Sequence, residues 1–283
     1  MTGQLQRWEN EIKMEPVEIS VIMGVYNERT RDDLDHAVNS ILGQTFKNFE
    51  FIIYDDGSDW EVSEKIKALH RKDKRIVPIG SEENHGLAFS LNECLKRTRG
   101  RYIARMDVDD ISLPKRLDKQ YKFLEEHKEY DWCGTNAKVF DSAGIWGQTT
   151  RPEIPTAKDY LRYSPYIHPT VMYRREILME SGGYAAREET LRCEDYEIFM
   201  RLFRQGGKGY NIQEDLFLYH VERESYHVRS FKFRLYEARI RYQNFKEMGL
   251  LFPFGWVHCL RPFISLFVPV KVVEFVKNMR KSL

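Results

Sequence analysis

Residues 105–110 read RMDVDD, so Asp107, Asp109 and Asp110 fall within four positions, directly behind the apolar run Tyr102-Ile103-Ala104. Unit charges about 4 Å apart repel by about 1 kcal/mol in water, and by more where solvent is partly excluded. A chain that ends a buried strand this way needs solvent, basic neighbours or a metal ion to offset the repulsion. An Asp-x-Asp at a strand end can hold a hard divalent cation through oxygen ligands. Such a cation would admit a diphosphate to an acidic site and stabilise it as a leaving group. A solvated acidic turn is the competing reading, and the tetrad alone favours neither.

Three further groups invite chemistry, each with a plainer explanation beside it. Asp55-Asp56-Gly57-Ser58 suits an ordinary turn, but a carboxylate at the crevice of an open α/β sheet can also accept from a base N–H or a ribose hydroxyl. Cys193-Glu194-Asp195 precedes an amphipathic run. A carboxylate there is a good helix N-cap, or a general base for an acceptor hydroxyl. His168, before Pro169-Thr170, either lines a site or is a satisfied core histidine.

The elements that must position these residues follow from periodicity. ISVIMGV (19–25) and FEFIIY (49–54) are apolar, β-branched runs that predict buried strands. Helices are expected at 31–43, opened by a Thr30/Asp33 capping box, then around Val62, Ile66 and Leu69, and around Leu87, Leu91 and Leu95 with Gly100 as the stop. Strands are expected at 75–79 and 101–106, with a turn at 55–58. This alternation predicts a mostly parallel, Rossmann-like sheet with helices on both faces. Ligands then bind outside the carboxyl ends of the strands. Tyr26-Asn27-Glu28, Asp55–Ser58 and Asp107–Asp110 all fall at those ends. Further along, the pattern predicts a helix at 115–126, a strand at 130–140 with a turn at Asp141–Gly144, an irregular stretch, and a strand at 168–173. An amphipathic helix at 195–205 and a long helix at 228–248 follow.

Bulk properties narrow the function. The chain has 283 residues, 42% hydrophobic and 31% charged, with a formal net charge of +1. That balance gives no support for nucleic-acid binding. The four cysteines have no zinc or redox spacing, which favours reduced thiols in a cytoplasmic setting. The polar, mixed-charge start lacks the apolar core of a signal peptide. No G-x-x-x-x-G-K-[ST] loop is present, and the glycines at 206–209 follow a helical pattern.

Taken in order, SVIMGVYNER (20–29), SILGQTFKNFEFIIYDDGSD (40–59), NHGLAFSLNECL (84–95), GRYIARMDVDDISLPKRL (100–117), HPTVMYRREIL (168–178) with GGY (182–184), and CEDYEIFMRL (193–202) resemble the family 2 glycosyltransferases of GT-A fold. The flavour is that of the bacterial exopolysaccharide, capsule and amylovoran-type subgroup. The resemblance implies a catalytic domain over 17–225, with a nucleotide-binding half at about 17–113 and an acceptor half at about 114–225. A C-terminal helical extension over 226–283 follows, with membrane association as one reading of it. It implies a nucleotide-sugar site of Gly24, Tyr26, Glu28, Asp56, Asn84, Asp107, His168 and Glu194. Tyr26 would stack near the base and Asp56 would bond it, usually a uracil. Asp107 would hold the nucleotide-sugar, Asp109 would ligate Mn²⁺ or Mg²⁺, and Asp195 would be the catalytic base. The chain departs from the pattern in the last segment, Tyr219-His220-Val221-Glu222 to Ser225. Glu222 stands where relatives carry a histidine and His220 where they carry an arginine, which leaves His220, Arg223 and His227 as substitutes toward the diphosphate.

The implied reaction is metal-dependent, inverting transfer of a sugar from a UDP-sugar to a glycan or lipid-linked acceptor, in exopolysaccharide or other cell-surface glycan synthesis. The implied location is the cytoplasm or the inner face of the cytoplasmic membrane. Two other readings stay open. A GT-A-fold binding or regulatory protein is disfavoured by the complete Asp56, Asp107, Asp109 and Asp195 set. A nucleotidyltransferase is disfavoured because Val25-Tyr26-Asn27-Glu28 is not a glycine-rich basic loop. The tail carries LLFPFGWVHCL (250–260) and PFISLFVPV (262–270) before a basic end. It is too interrupted for a membrane span of about 20 apolar residues, and suits either an interfacial segment or packing on protein.

Overall fold

The computed structural model describes residues 16–223 and 230–263. Expectations for Ser225, His227 and residues 264–283 lie outside the described residues. The first half alternates strand and helix: β1 (Ile19–Val25), α1 (Asp33–Leu42), β2 (Phe49–Asp56), α2 (Trp60–Lys72), β3 (Ile76–Ser81), α3 (Leu87–Leu95) and β4 (Tyr102–Arg105). The second half holds β5 (Ile111–Ser112), α4 (Arg116–Glu126), β6 (Trp132–Asp141), β7 (Gly144–Thr149), β8 (Met172–Arg174), α5 (Arg175–Glu180), α6 (Glu194–Arg204), β9 (Gly209–His220), α7 (Phe231–Glu247) and α8 (Gly255–Cys259).

One nine-stranded sheet orders the described strands as β3-β2-β1-β4-β8-β6-β9-β5, with β7 beside β6. Pairs β1–β2, β1–β4, β2–β3 and β6–β9 are parallel, and β8, β5 and β7 run against them. Successive strand residues face opposite sides, and both sides are covered. Ile19, Val21, Met23 and Val25 pack in one cluster with Leu34 and Val38 of α1 and Leu117 of α4. Ile22, Ile52 and Ile103 pack in the other with Leu91 of α3 and Phe199 of α6. Residues of α7 and α8 join this second cluster through Ile240, Phe245 and Cys259.

Several expectations are corrected. The turn at 55–58 begins later, because β2 runs through Asp55 and Asp56, opposite Gly80 and Ser81. A Cβ on Gly80 would lie 2.6 Å from the Asp55 carbonyl oxygen, so only glycine allows this pairing. Gly100 does not stop α3, which ends at Leu95. It lets the chain pass Ser20, whose amide nitrogen would lie 2.5 Å from an added Cβ. The expected strand at 168–173 splits into a 3-10 turn, His168–Thr170, and β8, since Pro169 has no N–H to give a ladder. Thr30 donates through its N–H and hydroxyl to Asp33, but α1 is entered from Asp32, so half a capping box forms. Strands β7 and β9 were not expected. Gln213-Glu214-Asp215 interrupts the apolar pattern of β9, and the register against β6 shifts there.

Candidate active site

The carboxyl ends of β1, β2 and β4 form the rim of a crevice. After β1, Tyr26 is 59% exposed, and Asn27 takes a left-handed conformation (φ 58°). Asparagine tolerates this because its side chain bonds locally. Asn27 receives the Asp59 N–H at 2.8 Å and donates its own N–H to Ser58 at 3.0 Å, tying two rim loops together. Glu28 braces the same loop, accepting from Lys65 and from the Leu34 N–H in the first turn of α1. Gly24 lies under α3, where an added Cβ would meet Ser90 at 2.9 Å.

Asp56 is buried, and its two carboxylate oxygens accept the N–H groups of His85 and Gly86 at 2.9 and 2.8 Å. It therefore latches the 84–86 loop, with Asn84 exposed on it. Gly57 (φ 75°) lets the chain turn beneath this loop, with Asn84's amide nitrogen 2.8 Å from where a Cβ would stand.

Asp107, Asp109 and Asp110 place a carboxylate oxygen each within 4.8 Å of the others. Each is held differently. Asp107 pairs with Arg105, an arginine buried at the end of β4. Asp110 is buried, accepts the His220 N–H at 2.7 Å through Oδ1, and leaves Oδ2 without a partner. Burial, then Asp107 and Asp109, hold its carboxyl well above the usual range. Asp109 is raised by burial and by Asp107, against the nearby Arg29. An all-oxygen donor set with repelling charges and an orphaned oxygen fits a hard divalent cation.

Beside this cluster lies a cavity of about 310 Å³ lined by Arg105, Asp107, Arg151, His168, Glu194 and Asp195, among others. Glu194 and Asp195 occupy the first turn of α6, where the helix dipole favours anions. Burial raises the Glu194 carboxyl. His168 is held by the Tyr184 hydroxyl at 2.9 Å, and burial, then Arg105, push it well below its usual range. A larger cavity of about 700 Å³ between α2 and β3 is lined by Asp55 but by none of these groups. The structure thus joins Asp107, His168, Glu194 and Asp195 on one cavity, while Tyr26, Asp56 and Asn84 stand at the ends of β1, β2 and β3, outside its lining. Sequence reasoning passed over Arg105, Arg151 and Tyr219, which also line the cavity. The signal for Arg105 was present: a charged residue closing a buried strand must find an opposite charge nearby.

The sequence signature of Glycosyl transferase family 2 matches residues 20–191. The putative glycosyltransferase EpsE of Bacillus subtilis is 38% identical over 90% of this chain and 91% of its own. The amylovoran biosynthesis glycosyltransferase AmsE of Erwinia amylovora is 27% identical over 91% of this chain and 97% of its own. Staphylococcus aureus TarS in complex with UDP-GlcNAc superimposes with a TM-score of 0.65 at 18% identity, covering 90% of this chain and 82% of the TarS chain, so the GT-A architecture is shared.

Proposed function

The chain belongs to glycosyl transferase family 2, and from that premise we propose that it moves a sugar, with inversion, from a UDP-sugar to an acceptor hydroxyl during assembly of a cell-surface polysaccharide. The observation that carries this reading is the single cavity shared by Asp107, His168, Glu194 and Asp195. UDP-GlcNAc bound to TarS supports the donor class, and the amylovoran role of AmsE supports the product class.

Asp195 accepts the proton of the acceptor hydroxyl at a carboxylate oxygen. The acceptor oxygen bonds to the anomeric carbon as the bond to the donor phosphate oxygen breaks, and the electron pair leaves with the nucleoside diphosphate. By analogy with glycoside hydrolysis, the transition state carries oxocarbenium character. His168, kept neutral by burial, is left to orient groups in the cavity through Tyr184. Asp107, fixed by Arg105, holds the donor. Asp109, with Asp107 and Asp110 beside it, would hold a divalent ion, which when bound would supply the charge that offsets the diphosphate.

A thermal-shift and hydrolysis screen of nucleotide-sugars with Mn²⁺ tests this reading. A raised melting temperature with slow hydrolysis of one UDP-sugar is expected. Binding without turnover in any acceptor extract would support the binding-protein reading, and a panel with no binder at all would overturn both.

We propose further that the acceptor is met at a membrane surface. Among the described residues no helix is long and apolar enough to cross a membrane. Phe252, Phe254, Trp256, Val257 and Leu260 nonetheless present an exposed aromatic and aliphatic run beside the exposed Arg261, the composition of an interfacial anchor. Flotation with anionic liposomes is expected to carry the protein upward. Protein left entirely in the dense fraction removes the membrane contact.

A further inference from the structure

The departure at His220 and Glu222 has a counterpart from the other end of the chain. The side chain of Arg29, in the loop after β1, reaches across to the end of β9. Its Nη1 lies 3.7 Å from Asp109 Oδ2 and its Nη2 3.6 Å from Glu222 Oε1. The same two nitrogens lie 2.8 and 3.0 Å from Nδ1 and Nε2 of His220. A neutral imidazole has one acceptor, so at most one of those contacts is a hydrogen bond, and the two carboxylates flank the guanidinium at ion-pair range without bonding it. Glu222 also lies 3.2 Å from His220 Nε2. Arg29 is 45% exposed, with Asp109 at 31% and Glu222 at 43%. Ion pairs this open are held weakly, so the side chain can leave at small cost.

A guanidinium between Asp109 and Glu222 and a dication on Asp109 compete for one place, since like charges at such separations repel. Once displaced, a guanidinium in this crevice has an obvious new partner, because its planar fork matches phosphate oxygens. We propose that Arg29 is the resident counter-cation of Asp109 and Glu222 in the free protein, and that it shifts onto the donor diphosphate when the metal enters. It is a positioning residue, and it supplies a cation from the first loop at the end of β9, where Arg223 is paired with Asp141. The inference rests on the metal-dependent reading above.

Electron paramagnetic resonance titration of Mn²⁺ into wild type, Arg29→Met and Arg29→Lys, with and without UDP, tests it without turnover. Arg29→Met is expected to bind Mn²⁺ alone about tenfold more tightly. With Mn²⁺ saturating, it is expected to bind UDP about fivefold more weakly. Arg29→Lys falls between, and unchanged melting temperatures confirm intact folds. Wild type that takes up no Mn²⁺, with or without UDP, overturns the metal reading together with this one. Wild type that binds Mn²⁺ and UDP, matched by Arg29→Met in both titrations, overturns the Arg29 assignment alone.

Discussion

Asp195→Asn abolishes sugar transfer while donor binding survives. The amide keeps the size and most of the hydrogen-bonding geometry at the start of α6, but it cannot take a proton at neutral pH. Loss of a positioned general base costs about 10²–10⁴ in rate, so kcat is expected to fall by about 10³ or more, with the donor dissociation constant within about threefold of wild type. The neighbouring groups offer poor replacements. His168 is buried and bonded to Tyr184, and Glu194 is shifted toward its protonated form by burial. Single-turnover transfer and calorimetric donor binding measure the two quantities separately. Wild-type turnover by this variant would sink the base assignment and would favour a protein that binds the donor without transferring it.

Chelation comes second in expected size. EDTA removes transfer, and Mn²⁺ or Mg²⁺ restores it. Asp109→Asn is expected to lower kcat by about 10²–10³, the usual effect of deleting one group that stabilises transition-state charge. The argument is electrostatic. Three carboxylates within 4.8 Å of one another face a ligand that brings further negative charge. Arg29, among the described residues the arginine paired with Asp109, sits at an ion-pair distance of 3.7 Å rather than in bonding contact. Full activity in excess chelator would show that basic side chains suffice and would count against any metal role.

Much of the frame was legible because it rests on local periodicity. Apolar β-branched runs at 19–25 and 49–54 are strands because both faces of the sheet are covered, so no alternation is needed. The helices expected at 31–43, 115–126 and 195–205 lie within a residue or two of those ends. Where a backbone must pass close to another, local pattern is misleading. Gly100 looked like a helix stop, but its neighbour is Ser20, eighty residues back. Strand β9 escaped because its polar middle, Gln213 to Asp215, reads as a loop until β6 supplies the partner.

The site divides in the same way. RMDVDD, the Asp55–Asp56 pair and Glu194–Asp195 announce acidic chemistry in contiguous letters, and their order along the chain carries the family. That Asp107 and Asp195 share a cavity depends on β8 and β6 being inserted beside β4, which then carries α6 to the same rim. That Arg29 meets His220 spans 191 positions. Sequence alone determined the alternation of strands and helices, the acidic groups and the family, because each is written in neighbouring residues or in motif order. Tertiary structure alone decided which charges face each other, because strand order and register are set by burial across the whole sheet and leave no local periodic trace.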